Sequence, residues 1–300
     1  MARKPKPSAA SQPAVIAYKG FDEDWKCRGF QYEMGQTYTH DGPIVRCGAG
    51  GFHACENPFD VLSYYGLTDS KFAIVEMDGD IARATDGDTK IAAARITIQA
   101  ELTLPEFITS AVNWLVKHVA LHADGTTASG YGSKLAATGD GSKLAASGYG
   151  SKLAASGDRS QLAASGDGSQ LAATGDGSQL AATGYSSKLA ASGDRSKLAA
   201  SGYGSKLAAT GDGSQLAATG YSSQLAATGD GSQLAASGYG SVIAVSGIDA
   251  LVTIGKNGAA AIAYHDGKRI RFITIYEGED GIEAGVAYHV VDGKAVKVED

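Results

Sequence analysis

The stretch SGYGSKLAATGDGSKLAA, residues 129–146, holds the pattern that decides the fold. It is one nine-residue phrase written twice. From Ser129 to Val245 the phrase returns thirteen times as [ST]-G-[YD]-[GRS]-S-[KQ]-L-A-A, relaxing to SGYGSVIAV in the last copy. Glycine holds the second position and serine the fifth in every copy, and the seventh is Leu in twelve copies and Ile243 in the last. A period of nine is neither a heptad nor a helical hairpin. One glycine-rich corner followed by about five alternating residues suits a short strand. Strand geometry then sends Ser133, Leu135 and Ala137 inward and Lys134 and Ala136 to water.

The third position sets the coil length. In alternate copies it reads Tyr131, Tyr149, Asp167, Tyr185, Tyr203, Tyr221 and Tyr239; the copies between read Asp140, Asp158, Asp176, Asp194, Asp212 and Asp230. A nine-residue coil would mix Tyr and Asp on one edge, whereas an 18-residue coil segregates them. The sequence therefore predicts a mainly β protein built on a right-handed parallel β-solenoid, each coil two nine-residue halves. At ~4.8 Å per stacked strand the rod is about 30 Å long, and its open ends require caps.

Each edge carries an expectation. Stacked tyrosines make a flat, self-complementary strip, so Tyr131, Tyr149, Tyr185, Tyr203, Tyr221 and Tyr239 are expected to join two rods in a C2 dimer. The alternatives are a strip that only rigidifies the rod, or one that stacks on carbohydrate or bases. The acidic ladder of Asp140, Asp158, Asp176, Asp194, Asp212 and Asp230 must offset its own repulsion. Hydrogen bonds from the backbone amides of each aspartate's own turn are the expected means. A calcium roll wants aspartate in both halves of a coil, but tyrosine faces it here. A duplex-mimicking rod fails on charge, since residues 129–245 carry seven Asp against six Lys and two Arg.

The turn Gly130-Tyr131-Gly132-Ser133, repeated at Gly148 and Gly202, resembles that of bacterial ice-nucleation repeats, whose solenoids stack tyrosines and associate through them. That family places Thr-x-Thr after the turn, where this chain has Lys134-Leu135-Ala136. The resemblance implies the rod and its tyrosine strip; ice interaction is an alternative function.

The flanks differ in kind. Residues 1–13 read as a disordered basic tail, 14–120 as an α+β N-terminal domain ending in a capping helix, 121–254 as the solenoid and 255–300 as a small β C-terminal cap. Strands are expected over Val15 to Tyr18, Phe72 to Glu76 and Ile91 to Leu102, and Asn57-Pro58 opens a short helix through Tyr65. Phe107, Ile108, Val112, Leu115, Val116 and Val119 give residues 105–120 one apolar face, placed to cover the first coil. Three cysteines and a net charge of -6 argue for a reducing, cytoplasmic setting, with no nucleic-acid or membrane partner.

Three motifs in the N-terminal part, Ala17-Tyr18-Lys19-Gly20-Phe21, Cys27-Arg28-Gly29-Phe30-Gln31-Tyr32-Glu33 and Gly51-Phe52-His53-Ala54-Cys55-Glu56-Asn57-Pro58, resemble an uncharacterised family of small phage and prophage proteins over roughly residues 15–102. The resemblance implies a phage origin in a bacterial host and no activity. Cys27, Cys47, His53 and Cys55 could form a zinc set, although their spacing is irregular and no Cys-x-x-Cys knuckle is present. Tyr18-Lys19, Gly35 to Tyr38 and Gly-Phe-His before a helix resemble the order of elements in ADP-ribosyltransferases, which implies an NAD-using site with Glu76 or Glu101 as its acid. The leading expectation is a non-enzymatic phage-type binding protein, without cofactor or metal. It would dimerise through the tyrosine ladder and could target a host protein.

Overall fold

In the computed structural model, residues 12–46, 48, 50–67, 70–83, 88–122 and 127–298 are described. The expected basic tail and Cys47 lie outside the described residues. The chain divides into two compact units, residues 1–65 with 70–103, and 66–69 with 104–300.

In the first unit, alternate residues of three long strands turn inward, as Ala17, Lys19 and Phe21, Ala73, Val75 and Met77, and Ile96 and Ile98 do. β1 (Gln12–Phe21), β2 (Lys26–Cys27), β3 (Phe30–Gln31), β4 (Thr37–Thr39) and β5 (Phe52–Cys55) precede a short helix, α1 (Pro58–Val61). The long β6 (Lys71–Ala82) and β7 (Lys90–Leu102) follow. β1 pairs with β5 and β6, and β7 pairs with both of those, so four antiparallel strands close a circuit to which β4 adds on β7. Irregularities between Ile74 and Val75 and between Asp78 and Ile81 bend β6 enough to serve both partners. Phe21, Val75, Met77, Ile91, Ile96 and Ile98 fill the interior. Asn57 caps α1 as its sequence indicated, its side chain accepting from the Phe59 amide at 3.0 Å. The helix stops at Val61, short of the expected Tyr65.

The second unit opens with α2 (Leu104–His122) and β8 (Thr127–Ala128). One four-residue strand per repeat follows, from β9 (Lys134–Ala137) to β21 (Val242–Val245). Each pairs in parallel with the strand 18 residues on, residue against residue, as Leu189 does with Leu207. Strands nine residues apart belong to two different sheets. This is the 18-residue coil. We call one sheet Tyr-led, because its strands follow the corners bearing Tyr131 to Tyr239, and the other Asp-led.

Two positions in each repeat explain their invariance. From Ser151 onward the fifth-position serines are buried, and from Ser133 to Ser232 each hydroxyl donates to the carbonyl of the glycine three residues earlier, as Ser205 does to Gly202 at 2.8 Å, while Ser241 donates to the Gly220 carbonyl at 3.5 Å. The second-position glycine sits directly over its counterpart one coil below. A Cβ on Gly193 would fall inside the carbonyl of Gly175.

The rod outlasts its repeat. β22 (Leu251–Ile254) and β23 (Ala259–His265) add a further coil in parallel register, on the Asp-led and Tyr-led sheets respectively, giving about eight coils. Val252, Ile254, Ala260 and Ile262 supply its buried positions, so the core continues where the glycine-serine pattern has lapsed. β24 (Ile270–Tyr276) then pairs antiparallel with β23, β25 (Ala287–Val291) with β22, and β26 (Lys294–Lys297) with β25. Asp292 and Gly293, at φ +48° and +76°, form the expected turn of the last hairpin.

One placement differs from expectation. α2 does not close the first coil; it runs along the outer face of the Asp-led sheet, against the five strands from Lys143–Ala146 to Gln215–Ala218. Its 19 residues span about 28 Å, far more than a coil end offers, whereas five stacked strands present about 19 Å of continuous surface. Phe107, Ile108, Ala111, Val112 and Leu115 are fully buried there. The side chains of Val116 and Val119 lie outside the described residues.

Candidate binding surfaces

The tyrosine corner is open to solvent. Tyr131, Tyr149, Tyr185, Tyr203, Tyr221 and Tyr239 are 55–83 % exposed. The strip is not one continuous stack. Tyr131 and Tyr149 stack at 5.3 Å between ring centres, Tyr221 and Tyr239 meet edge to face at 6.4 Å, and Asp167 interrupts the column. Six exposed phenol rings along one edge form an amphipathic strip of the kind that favours protein contacts.

The aspartate corner is bonded between coils, not within its own turn as expected. Asp140 Oδ1 accepts from the Asp158 amide 18 residues on, at 3.0 Å. The same bond joins Asp158 to Asp176, Asp176 to Asp194, Asp194 to Asp212 and Asp212 to Asp230, and the column ends with Asp230 accepting from Ile248 at 2.8 Å. A carboxylate that accepts a backbone N–H makes a charge-assisted bond, and this offsets the repulsion along the ladder. Among the described residues, no group of three or more His, Cys, Asp or Glu side chains lies at metal-binding spacing.

The two sheets present the same outward rows but differ in cover. On the Asp-led sheet the outward alanines Ala163, Ala181 and Ala199 are completely buried, and Gln179 and Lys197 are buried beside them. On the Tyr-led sheet the equivalent Ala154, Ala172, Ala190 and Ala208, and the row beginning Lys134 and Lys152, are exposed. A groove of about 950 Å³ follows these rows.

The first unit holds a cavity of about 730 Å³ beside Tyr18 and Lys19, lined also by Arg28, His53, Tyr64 and Lys90. Lys19, 4 % exposed, donates from Nζ to the His53 carbonyl at 3.1 Å and to Cys27 Sγ at 3.4 Å, within 5.3 Å of the Phe21 and Tyr32 ring centres. Tyr65 also donates to Cys27 Sγ, at 2.9 Å. Burial pushes the Lys19 amine below 10.5, opposed by the neighbouring Cys27. Burial likewise lowers His53, whose Nε2 donates to the Val45 carbonyl, and raises the Tyr65 phenol.

Of the four residues proposed as a zinc set, Cys27 is thus engaged by Lys19 and Tyr65, His53 by Val45, and Cys47 lies outside the described residues. Glu76 and Glu101, the acids that the transferase resemblance implied, do not line the cavity beside Lys19. Glu76 accepts instead from Gln99 across the β6–β7 pair. The convergence of Lys19 and Tyr65 on Cys27 was not read from the sequence. It joins residues 8 and 38 positions from Cys27, and no local pattern marks it.

Residues 15–110 match a family described as a domain of unknown function, DUF7666. The match takes in the strands of the first unit and the opening of α2. A 43-residue stretch is 49 % identical to the uncharacterized protein YdhT of Escherichia coli strain K12, covering 14 % of this chain and 16 % of that protein. The chain therefore spans well under two thirds of that relative's length. No solved structure matches the chain.

Proposed function

We propose that this is a non-enzymatic binding protein whose rod self-associates through its tyrosine corner, forming a homodimer. The observation that carries the reading is the exposure of six tyrosines along one edge of a regular rod, every one at least 55 % open. A closed C2 pair would let each strip cover its copy, and the rod's regular register keeps the rings at matching intervals. The reading extends, on the phage-family resemblance of residues 15–102, to a dimer in the cytoplasm of a bacterial host acting on a host protein.

Light scattering tests the association. Replacing Tyr131, Tyr149, Tyr185, Tyr203, Tyr221 and Tyr239 together by Ser is expected to take the wild-type mass from that of a dimer to that of a monomer. An unchanged mass removes the tyrosine strip as the interface.

A further inference from the structure

We propose that the bare outer face of the Tyr-led sheet is a docking site for an acidic, amphipathic helix supplied by another protein. The argument rests on a control within the same chain. Both sheets are built from one repeat, and both turn a row of alanines and a row of Lys or Gln outward. On the Asp-led sheet this surface is occupied, and its occupant is a helix: α2 lays Phe107, Ile108, Ala111, Val112 and Leu115 on the alanine row until both sides are dry. The alanine ladder is therefore a surface that a helix demonstrably fits. On the Tyr-led sheet, the same ladder from β9 to β21 lies open.

Charge selects the occupant. The covered sheet carries Gln161, Gln179, Gln215 and Gln233 against Lys143 and Lys197, whereas the open sheet reverses the balance with Lys134, Lys152, Lys188 and Lys206 against Gln170 and Gln224. Among the described residues, none of the four open-face lysines makes an ion pair. They lie as two adjacent pairs, Lys134 beside Lys152 and Lys188 beside Lys206. Strands about 4.8 Å apart match carboxylates three or four residues apart on a helix, at about 4.5–6 Å of rise. A second copy is disfavoured, because face-to-face packing would set these lysines against their own counterparts with no carboxylate between them. The site is separate from the tyrosine corner, so it stands or falls independently of self-association.

The test uses a fluorescein-labelled peptide of residues 104–122 as probe. It carries Ser110→Glu and Trp114→Glu, four residues apart at the half-buried edge of its apolar face where they would reach the lysine row, and anisotropy is read against the full chain. Saturable binding is expected. Ala190→Glu, an exposed change at the centre of the open row, should weaken it at least about tenfold, since it buries an unpaired charge under the peptide. The milder pair Lys188→Gln and Lys206→Gln should weaken it several-fold and flatten its salt dependence between about 50 and 500 mM. The all-Ser tyrosine variant should bind the peptide as wild type does. Absence of binding overturns the proposal. So does binding indifferent to both Ala190→Glu and the lysine pair, which would mean exchange with α2 on the other sheet. A wild-type dimer that becomes monomeric on Ala190→Glu also overturns it, because the face would then join two copies.

Discussion

The two corners of each coil share a glycine and a serine and differ chiefly at the third position, yet they hold successive coils in different ways. At the aspartate corner each carboxylate reaches to the next coil and accepts its amide, at 2.9–3.0 Å from Asp140 through Asp212. At the tyrosine corner, among the described residues, no ring in the tyrosine position bridges coils by hydrogen bond, whereas Asp167, which replaces tyrosine there, accepts from the Tyr185 amide at 2.8 Å. That exception teaches the rule. The inter-coil bond belongs to the aspartate side chain and not to the corner, so the tyrosine corner forgoes a contact that its backbone is shaped to make. One corner ties coil to coil through its side chains, and the other leaves its tyrosines exposed and outside that bond.

The largest effect should come from the feature the corners share. Gly193→Ala places a methyl group in the backbone of Gly175, where no rotamer change can relieve it. A loss of about 4 kcal/mol or outright failure to fold is expected in denaturant melts. Gly231→Ala is the counter-test. Its φ is +63° but open space surrounds the would-be Cβ, and Arg159, Ser186, Arg195 and Ser222 tolerate the same conformation, so about 1 kcal/mol is expected. Equal costs would mean that backbone conformation, not coil spacing, sets the glycine rule.

Next comes the aspartate ladder itself. Two carboxylates 4.8 Å apart repel by about 0.9 kcal/mol in water, and a charge-assisted hydrogen bond returns about 1.5–3 kcal/mol. Asp212→Asn keeps an acceptor for the Asp230 amide while removing two repulsions, so stability within about 0.5 kcal/mol of wild type is expected. Asp212→Ala removes the acceptor as well, and should cost about 1 kcal/mol once roughly 0.5 M salt has screened the ladder. If Asn proves as damaging as Ala, the bond is worth little and the negative charge itself is what stabilises the corner.

The coil length, the two sheets and the inward serine and leucine rows were legible in the sequence because the segregation of tyrosine from aspartate has only one regular solution. The last coil was legible by half: the solenoid was expected to end at residue 254, which takes in Val252 and Ile254, whereas Ala260 and Ile262 keep the core beyond it without the corner motif that announces it. Nor was the place of α2. Its apolar stripe declared a partner, but both sheets turn the same alanines outward, and only the richer glutamine content of the Asp-led row hints at which one is covered. The cavity beside Lys19 was anticipated only as an element order. The contacts that shape it, Lys19 and Tyr65 on Cys27 and Arg46 on Asp88, join residues 8, 38 and 42 positions apart that no local pattern links.

The smallest effect is the most informative about purpose. Tyr203 has no ring partner among the described residues, and its neighbours in the column, Tyr185 and Tyr221, carry no charge. Tyr203→Asp should therefore gain the bond to the Tyr221 amide that Asp167 makes to Tyr185, without the repulsion that burdens the other corner. A stabilisation of about 0.5–1 kcal/mol is expected, read by denaturant melts at dilute concentration where self-association does not contribute. A loss of stability would show that the ring anchors its own coil, and the corner would then need no partner to explain it. A gain would mean that six of the seven positions in this column hold a residue inferior for the isolated rod. Tyrosine at those six positions would then be accounted for only by what it touches outside the chain.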